Sequence, residues 1–389
     1  MLDARARGFV RGATRAASRT VRSAALLTLA CASPLAAQTN DPLFAGWRWA
    51  PPSVGARPAG MGGAFVGIAD SVKAAIVNPA GLTLLPLTEI GASSGEPWLA
   101  VGVGRPQARL AGYLSRTEEA HVELQDAAPS GVGALDSSVW EAGLALGVSL
   151  HPRLKLGGSI ATTRLTLDGE RRVPGPEGTE TVAASVTSRD THLRASAGLL
   201  LVLVGANARA LPSLRLGVSW QPGFDWSAEM TDEGASGARE ISFRRPTLVS
   251  AGLAWRASDR WSLAAQGDVI LYSEVLASLE RNIGEAALDF SLPSTIEPRL
   301  GGEFATPLAC GCGIVRLRGG LHYRSPGTLH YLGPDPTLRR TFAEESWRTV
   351  ATLGASFFAE HMAHALSLDI DSRDVFEGPN LSFGIVWRF

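Results

Sequence analysis

From Pro86 to Phe389, large apolar residues recur at every second position. Between Val139 and Leu150, the residues Trp140, Ala142, Leu144, Leu146, Val148 and Leu150 fall on one face, and Glu141, Gly143, Ala145, Gly147 and Ser149 on the other. A period of two is that of a β-strand, whose side chains alternate between faces. Leu214, Leu216, Val218, Trp220, Phe224 and Trp226 repeat it against Ser213, Arg215, Gly217, Ser219, Gln221 and Asp225. So do Trp261, Leu263, Ala265, Val269 and Leu271 against Arg260, Ser262, Gln266 and Asp268. Val315, Leu317, Leu321 and Tyr323 oppose Arg316, Arg318, His322 and Arg324. Leu381, Phe383, Ile385, Trp387 and Phe389 alternate with Ser382, Gly384 and Arg388.

These strands are roughly 10–13 residues long, against about 5–6 in soluble sheets. One face is large and apolar, the other small, polar or charged. That pattern predicts an all-β fold, an antiparallel barrel crossing an outer membrane with its apolar face on lipid. The alternative is a secreted β-sandwich, in which the apolar face is a core. The connections separate the two readings. Short turns are expected near 151–153, 205–213, 257–260, 307–313 and 359–363, and long polar connections near 169–188, 227–244, 273–294 and 326–344. Short turns on one side and long loops on the other are the barrel rhythm. Eleven strands are expected from Val139 onward, and three more in Pro86–Ser94, Trp98–Gly104 and Gln107–Gln125. The total is about 14; an even number is the bacterial expectation and puts both ends on the periplasmic side.

Residues 55–85 break the alternation. This stretch is rich in Gly and Ala and poor in charge, and Asn78-Pro79-Ala80-Gly81-Leu82 forms a turn-like run after a short helical stretch. It is expected to fold inside what the strands build. Gly60-Met61-Gly62-Gly63-Ala64-Phe65 has no Gly-Lys-Ser/Thr ending and no preceding strand, so it is not a phosphate loop. Its glycines suit tight packing in a narrow space.

The first 37 residues have the form of a cleavable export signal. Six arginines precede a short apolar core, Ala24–Ala32, and Leu35-Ala36-Ala37 offers a cleavage site. That core is too short to span a bilayer as a helix. The expected organisation is a signal over 1–37, a leader and hatch over 38–85, and a barrel over 86–389. The whole chain carries 36 basic and 37 acidic residues. Without the signal's six Arg and one Asp, 30 basic and 36 acidic remain, a net charge of −6. This argues against a nucleic-acid partner, which needs phosphates neutralised.

Candidate chemistry is sparse. No HExxH and no GxSxG occurs. His361 and His364 lie three apart at an expected turn without a carboxylate ligand set, so neither a metal nor another cofactor is expected. The chain is not read as an enzyme. Cys310 and Cys312 sit at a turn apex as a local disulfide staple, free thiols or a weak metal site. On the inferred inner face, Lys155, Arg215, Arg316, Arg318 and Arg324 accompany Glu141, Asp268, Asp369 and Asp371. They serve either as an internal salt-bridge network or as a selectivity lining.

The sequence resembles the FadL/TodX-type transporters of hydrophobic compounds. The matching residues are Ala59-Gly60-Met61-Gly62-Gly63-Ala64-Phe65, then Ala69-Asp70 and Asn78-Pro79-Ala80-Gly81-Leu82, with a looser match at Leu321-His322-Tyr323-Arg324-Ser325-Pro326. The resemblance implies a 14-stranded outer-membrane barrel and an N-terminal hatch gated at Gly60, Met61, Gly62, Gly63, Asn78, Pro79, Ala80 and Gly81. It also implies uptake of a fatty acid or aromatic hydrocarbon that leaves sideways through the wall. Lipid and lipopolysaccharide would surround such a barrel, and Trp387-Arg388-Phe389 fits the aromatic end read by the barrel-assembly machinery. The opening pattern is also similar to PorV/PorQ-type barrels, partners of the type IX secretion system, so a secretion partner is the competing expectation.

Overall fold

A computed structural model describes residues 41–47, 55–86, 88–94, 97–125, 132–174, 180–205, 207, 211–232, 237–361, 364–373 and 380–389. For 124–125, 360–361, 364–373 and 380–382 it describes the backbone alone. The expected export signal lies outside the described residues.

The strands in chain order are β1 (Glu89–Ser93), β2 (Trp98–Arg105), β3 (Ala108–Gln125), β4 (Val132–His151), β5 (Leu154–Pro174), β6 (Glu180–Ser188), β7 (Thr191–Val204), β8 (Ser213–Gln221), β9 (Phe224–Asp232) and β10 (Arg239–Arg245). They continue as β11 (Leu248–Arg256), β12 (Trp261–Ile270), β13 (Phe290–Ser291), β14 (Thr295–Pro307), β15 (Ile314–Arg324), β16 (His330–Tyr331), β17 (Arg348–His361), β18 (His364–Arg373) and β19 (Asn380–Arg388). Seventeen of them form one sheet, and β13 and β16 form a separate ribbon. Every described pairing is antiparallel. Neighbours follow the chain from β1 through β5, then β7, β8, β11, β12, β14, β15, β17, β18 and β19, and β1 pairs with both β2 and β19. The strands β6, β9 and β10 pair among themselves and with the far end of β5, extending the sheet at its long-loop end.

The alternation seen in the sequence governs burial, with the sign opposite to that of a soluble sheet. On β4, Leu144 is 53% exposed while Glu141 is 0%. Trp255, Leu263, Leu300, Leu321, Ile385 and Trp387 are likewise exposed, and Arg215, Asp268, Arg299 and Arg318 are buried. An apolar face this large must meet something other than water. No helix among the described residues is long and apolar enough to cross a membrane.

Three expectations are corrected. Phe224 and Trp226 do not share the face of Leu214–Trp220; they are buried, because Pro222-Gly223 separates β8 from β9 and shifts the alternation by one position. The expected long connections at 169–188 and 227–244 are mostly strand, since the hairpins β5–β6 and β9–β10 carry the ladder outward. The 273–294 connection contains a helix, Ser273–Ile283. The 326–344 connection holds β16 and the short helix Pro336–Thr341, whose first turn is capped by Asp335. The short turns fall where expected, and Cys310 and Cys312 are disulfide-bonded across one of them.

Candidate functional site

Residues 55–86 pack on the buried face of the sheet, where strands from β3 to β19 touch them. The segment holds the helix Ala56–Gly60, the helix Ala74–Val77 and the 3-10 turn Pro79–Leu84. Ala59, Met61, Ala64, Phe65, Ala75, Ala80 and Leu82 are almost completely buried. Met61, Ala64, Phe65 and Ile68 pack on Ala254 and Ala264, whereas Val72, Ile76, Leu82 and Leu85 pack on Trp98, Ala111, Tyr113 and Ala145.

The seat of this segment is made of missing side chains. Gly147, Gly157 and Gly198 are adjacent in register across β4, β5 and β7, and a β-carbon on any of them would strike Asn78, Pro79 or Ala80. Gly217 accepts Val66 in the same way, and opposite its partner Gly252 the missing side chain is that of Gly67, whose β-carbon would strike Gly252 O. Gly301 and Gly320, paired across β14 and β15, accept Met61 and Gly62. Main chain meets main chain at three steps around the sheet. Gly62 and Gly63 take positive φ (64° and 81°), which lets the chain turn flat against Leu300 and Leu321.

Polar bonds fix the register of the segment. Gln266 Oε1 accepts from the amides of Phe65 and Val66, both at 2.9 Å. Its amide donates to Asp268 at 2.8 Å, and Asp268 pairs with Arg299 at 2.5 Å. Glu297 then accepts from Ser325 and bonds His322 at 2.8 Å. Asn78 Nδ2 donates to Val66 O within the segment and to Leu199 O on β7. Glu89 accepts from the Val72 amide and pairs with Arg388, joining segment, β1 and β19. Arg57 binds Asp70 at 2.5 Å and Glu303 at 3.0 Å. Burial pushes the Asp70 carboxyl up, but Arg57 and Arg215 outweigh that and hold it below its ordinary value.

Layers follow along the strands. Beyond the segment, towards the long-loop end, lies a buried charged layer. Glu141 pairs with Arg194 and accepts from Tyr113 at 2.7 Å; Arg194 reaches Gln221, and Arg245 pairs with Glu118 at 3.1 Å. Beyond that is an apolar compartment filled by packed side chains, Leu135, Leu165, Val186, Trp226, Met230 and Phe243 among them; the space left beside Phe44, Trp47 and Phe243 is about 40 Å³. Leu43 and Phe44 pack in it, and Trp47 stacks edge-on against Phe243. Arg171 clamps Asp41 beside them at 2.8 Å.

The sequence-predicted residues separate into groups. Gly60, Met61, Gly62, Gly63, Asn78, Pro79, Ala80 and Gly81 all lie in the packed segment. Arg318 is buried on Glu303 and Ser356. Arg316 lies nearby on the same strand, over the Phe358 ring. Asp268 belongs to the separate Gln266–Arg299 chain, and Arg324 sits at the other end of β15. The side chain of Asp369 lies outside the described residues; its backbone pairs with Ser356 and Gly384. Glu297, Arg299 and Glu303 were missed although they alternate on β14; Pro298 obscures the strand pattern there. No cluster of metal-ligating side chains occurs among the described residues.

One large antiparallel sheet, apolar outside and packed on its other face against an N-terminal segment, defines a fold class: that of the FadL/TodX-type proteins. Among solved structures, a Pseudomonas aeruginosa FadL homologue superposes with a TM-score of 0.56 at 13% identity, covering 87% of this chain and 98% of its own. The Pseudomonas putida toluene transporter TodX gives 0.55 at 14% identity, over 86% and 97%. The monoaromatic hydrocarbon channel CymD gives 0.55 at 14%, over 87% and 99%. No protein-family model and no curated protein matches the sequence.

Proposed function

We propose that this chain is an outer-membrane β-barrel of fourteen strands that passes hydrophobic small molecules, long-chain fatty acids or aromatic hydrocarbons, with residues 55–85 as a hatch in its lumen. The observation that carries the reading is the inverted polarity of the sheet combined with an N-terminal segment packed on its buried face. The run of pairings that returns from β19 to β1 supports closure. The structural neighbours include proteins described as toluene transporters and a monoaromatic hydrocarbon channel.

The layering supports a sideways exit. An apolar solute that displaced Leu43 and Phe44 from among Trp226 and Phe243 would have to cross the Glu141–Arg194 layer and the hatch to continue along the axis. Crossing desolvated charge gains it nothing, whereas the bilayer is a favourable solvent. The wall is low at one sector. The strand β1 has five residues and β2 eight, against about 9–11 for a spanning strand. The β2 partner of β3 ends at Ser115, and a bulge follows between Arg116 and Glu118. The gap between the far end of β3 and that of β19 is the proposed exit.

Uptake tests this reading. Cells or liposomes carrying the protein are expected to accumulate toluene or a long-chain fatty acid faster than controls; equal rates for several apolar solutes would sink it. Deleting Asn78–Leu82 is expected to change uptake while the barrel still assembles. The membrane placement has its own test. Leu144→Arg on the outer face is expected to destabilise the folded protein in vesicles by about 2–4 kcal/mol, as for a basic residue near the mid-plane. An unchanged unfolding midpoint would contradict lipid contact at β4. The β5–β6 and β9–β10 hairpins, a built wall at the long-loop end, keep the secretion-partner reading in view; co-purification of type IX components in place of uptake would select it.

A further inference from the structure

At the short-turn end of the sheet, under the N-terminal segment, lies a polar cavity of about 270 Å³. Six arginines and three carboxylates line it. Three strand ends and the segment itself bring them together. Arg215 stands near the start of β8, Arg256 and Arg260 flank the β11–β12 turn, Arg316 is near the start of β15, and Arg57 and Asp70 belong to the segment.

The charges do not cancel. Arg388 is engaged by Glu89, and Arg57 by Asp70 and Glu303. Arg256 reaches Asp259 only at 3.9 Å. Arg215, Arg260 and Arg316 have no ion pair among the described residues. Arg215 is 1% exposed; Asp70 lies near enough to act on its charge, yet its Nε and Nη2 are buried without a hydrogen-bond partner among the described residues. A buried guanidinium without a partner is costly, and a fold retains one readily where something negative completes it. Planar donor forks of this kind match carboxylate and phosphate oxygens in pairs.

We propose that Arg215, Arg316 and Arg260 form a binding site for a compact oxyanion, a carboxylate or a phosphate, beneath the N-terminal segment. The anion bridges the wall and the segment, because Arg57 and Asp70 share the cavity. The site stands on its own geometry and needs neither transport nor an assigned membrane orientation.

The test is calorimetric titration of the purified full chain in uncharged detergent with inorganic phosphate and, separately, with octanoate below its micelle range. Saturable binding of at least one is expected. Phosphate alone marks a free oxyanion site, and tighter octanoate marks the headgroup of an amphiphile. Arg316→Gln and Arg215→Gln are each expected to weaken binding about tenfold or more, the scale of one charge-assisted contact. Arg153→Gln, at a neighbouring turn outside the cavity, is expected to leave it unchanged. Arg316 is only half-buried, so its variant keeps the test valid if Arg215→Gln fails to fold. No saturable binding of either anion below roughly 10 mM, or equal binding by Arg316→Gln, overturns the site.

Discussion

Valine at Gly157 is expected to unseat the N-terminal segment while leaving the strands paired. A β-carbon at that position would run into the Pro79–Ala80 peptide. The obstacle is main chain, so no rotamer change relieves it, and the whole turn Pro79–Leu84 must move. Overpacking a filled site costs about 1–3 kcal/mol when side chains can adjust, and the upper end applies here. Valine is itself a good strand residue, so the ladder of β5 does not suffer from the change. Gly158 is the internal control. It lies on the opposite face, and a β-carbon there makes only an ordinary contact with Ser196. Limited proteolysis reads the outcome: cleavage within 55–86 should accelerate in Gly157→Val and not in Gly158→Val. Equal protection of the segment in both variants would show that the glycine steps do not seat it.

The second large effect is expected at Glu141. Its side chain is 0% exposed, and that of its partner Arg194 3%. Glu141→Ala leaves Arg194 buried with the neutral Gln221 and Tyr113 beside it in place of a carboxylate, and breaking one half of such a pair costs about 3–5 kcal/mol. Tyr113 loses an acceptor as well. Desolvation of the remaining ion goes unopposed once its partner is gone. Glu141→Leu combined with Arg194→Met should therefore recover much of the loss, since replacing a whole buried pair by apolar residues is often neutral. Urea unfolding in vesicles distinguishes the cases. A single variant as stable as the parent would mean that Arg194 finds another anion.

The outer face of the sheet was readable because strand geometry puts every second residue on it, and those residues are the large apolar ones. Trp140, Leu144 and Leu146 declare β4, and they are the exposed ones. Where two constraints compete, the pattern misleads. Phe224 and Trp226 keep the even numbering of Leu214–Trp220, yet Pro222-Gly223 turns them inward to build the apolar compartment. The polar look of 169–188 concealed a hairpin, because strands extending beyond an apolar band need no large hydrophobic residues on their outer face. Of the site, the glycine and Asn-Pro motifs of residues 55–85 stand out in the sequence. Their partners do not. Gln266, Glu89 and Glu303 are single polar residues on separate strands, distant in sequence from what they hold. Only register brings Glu303 to Arg57. Arg215 looked like any other inward charge; what distinguishes it is that two of its buried nitrogens lack a hydrogen-bond partner among the described residues, which no sequence pattern encodes.

The glycine steps also invert the usual meaning of a mutational scan. An alanine scan removes side chains, and its losses are read as contacts. At Gly147, Gly157, Gly198, Gly217, Gly301 and Gly320 the same scan adds matter to a joint that has none to spare. Tolerance along the wall should then run backwards. Bulky outward residues can be trimmed with small effect, while positions bearing no side chain at all become the intolerant ones. A line of sensitivity at the residues with least to lose would trace the seat of the N-terminal segment from the mutational record alone.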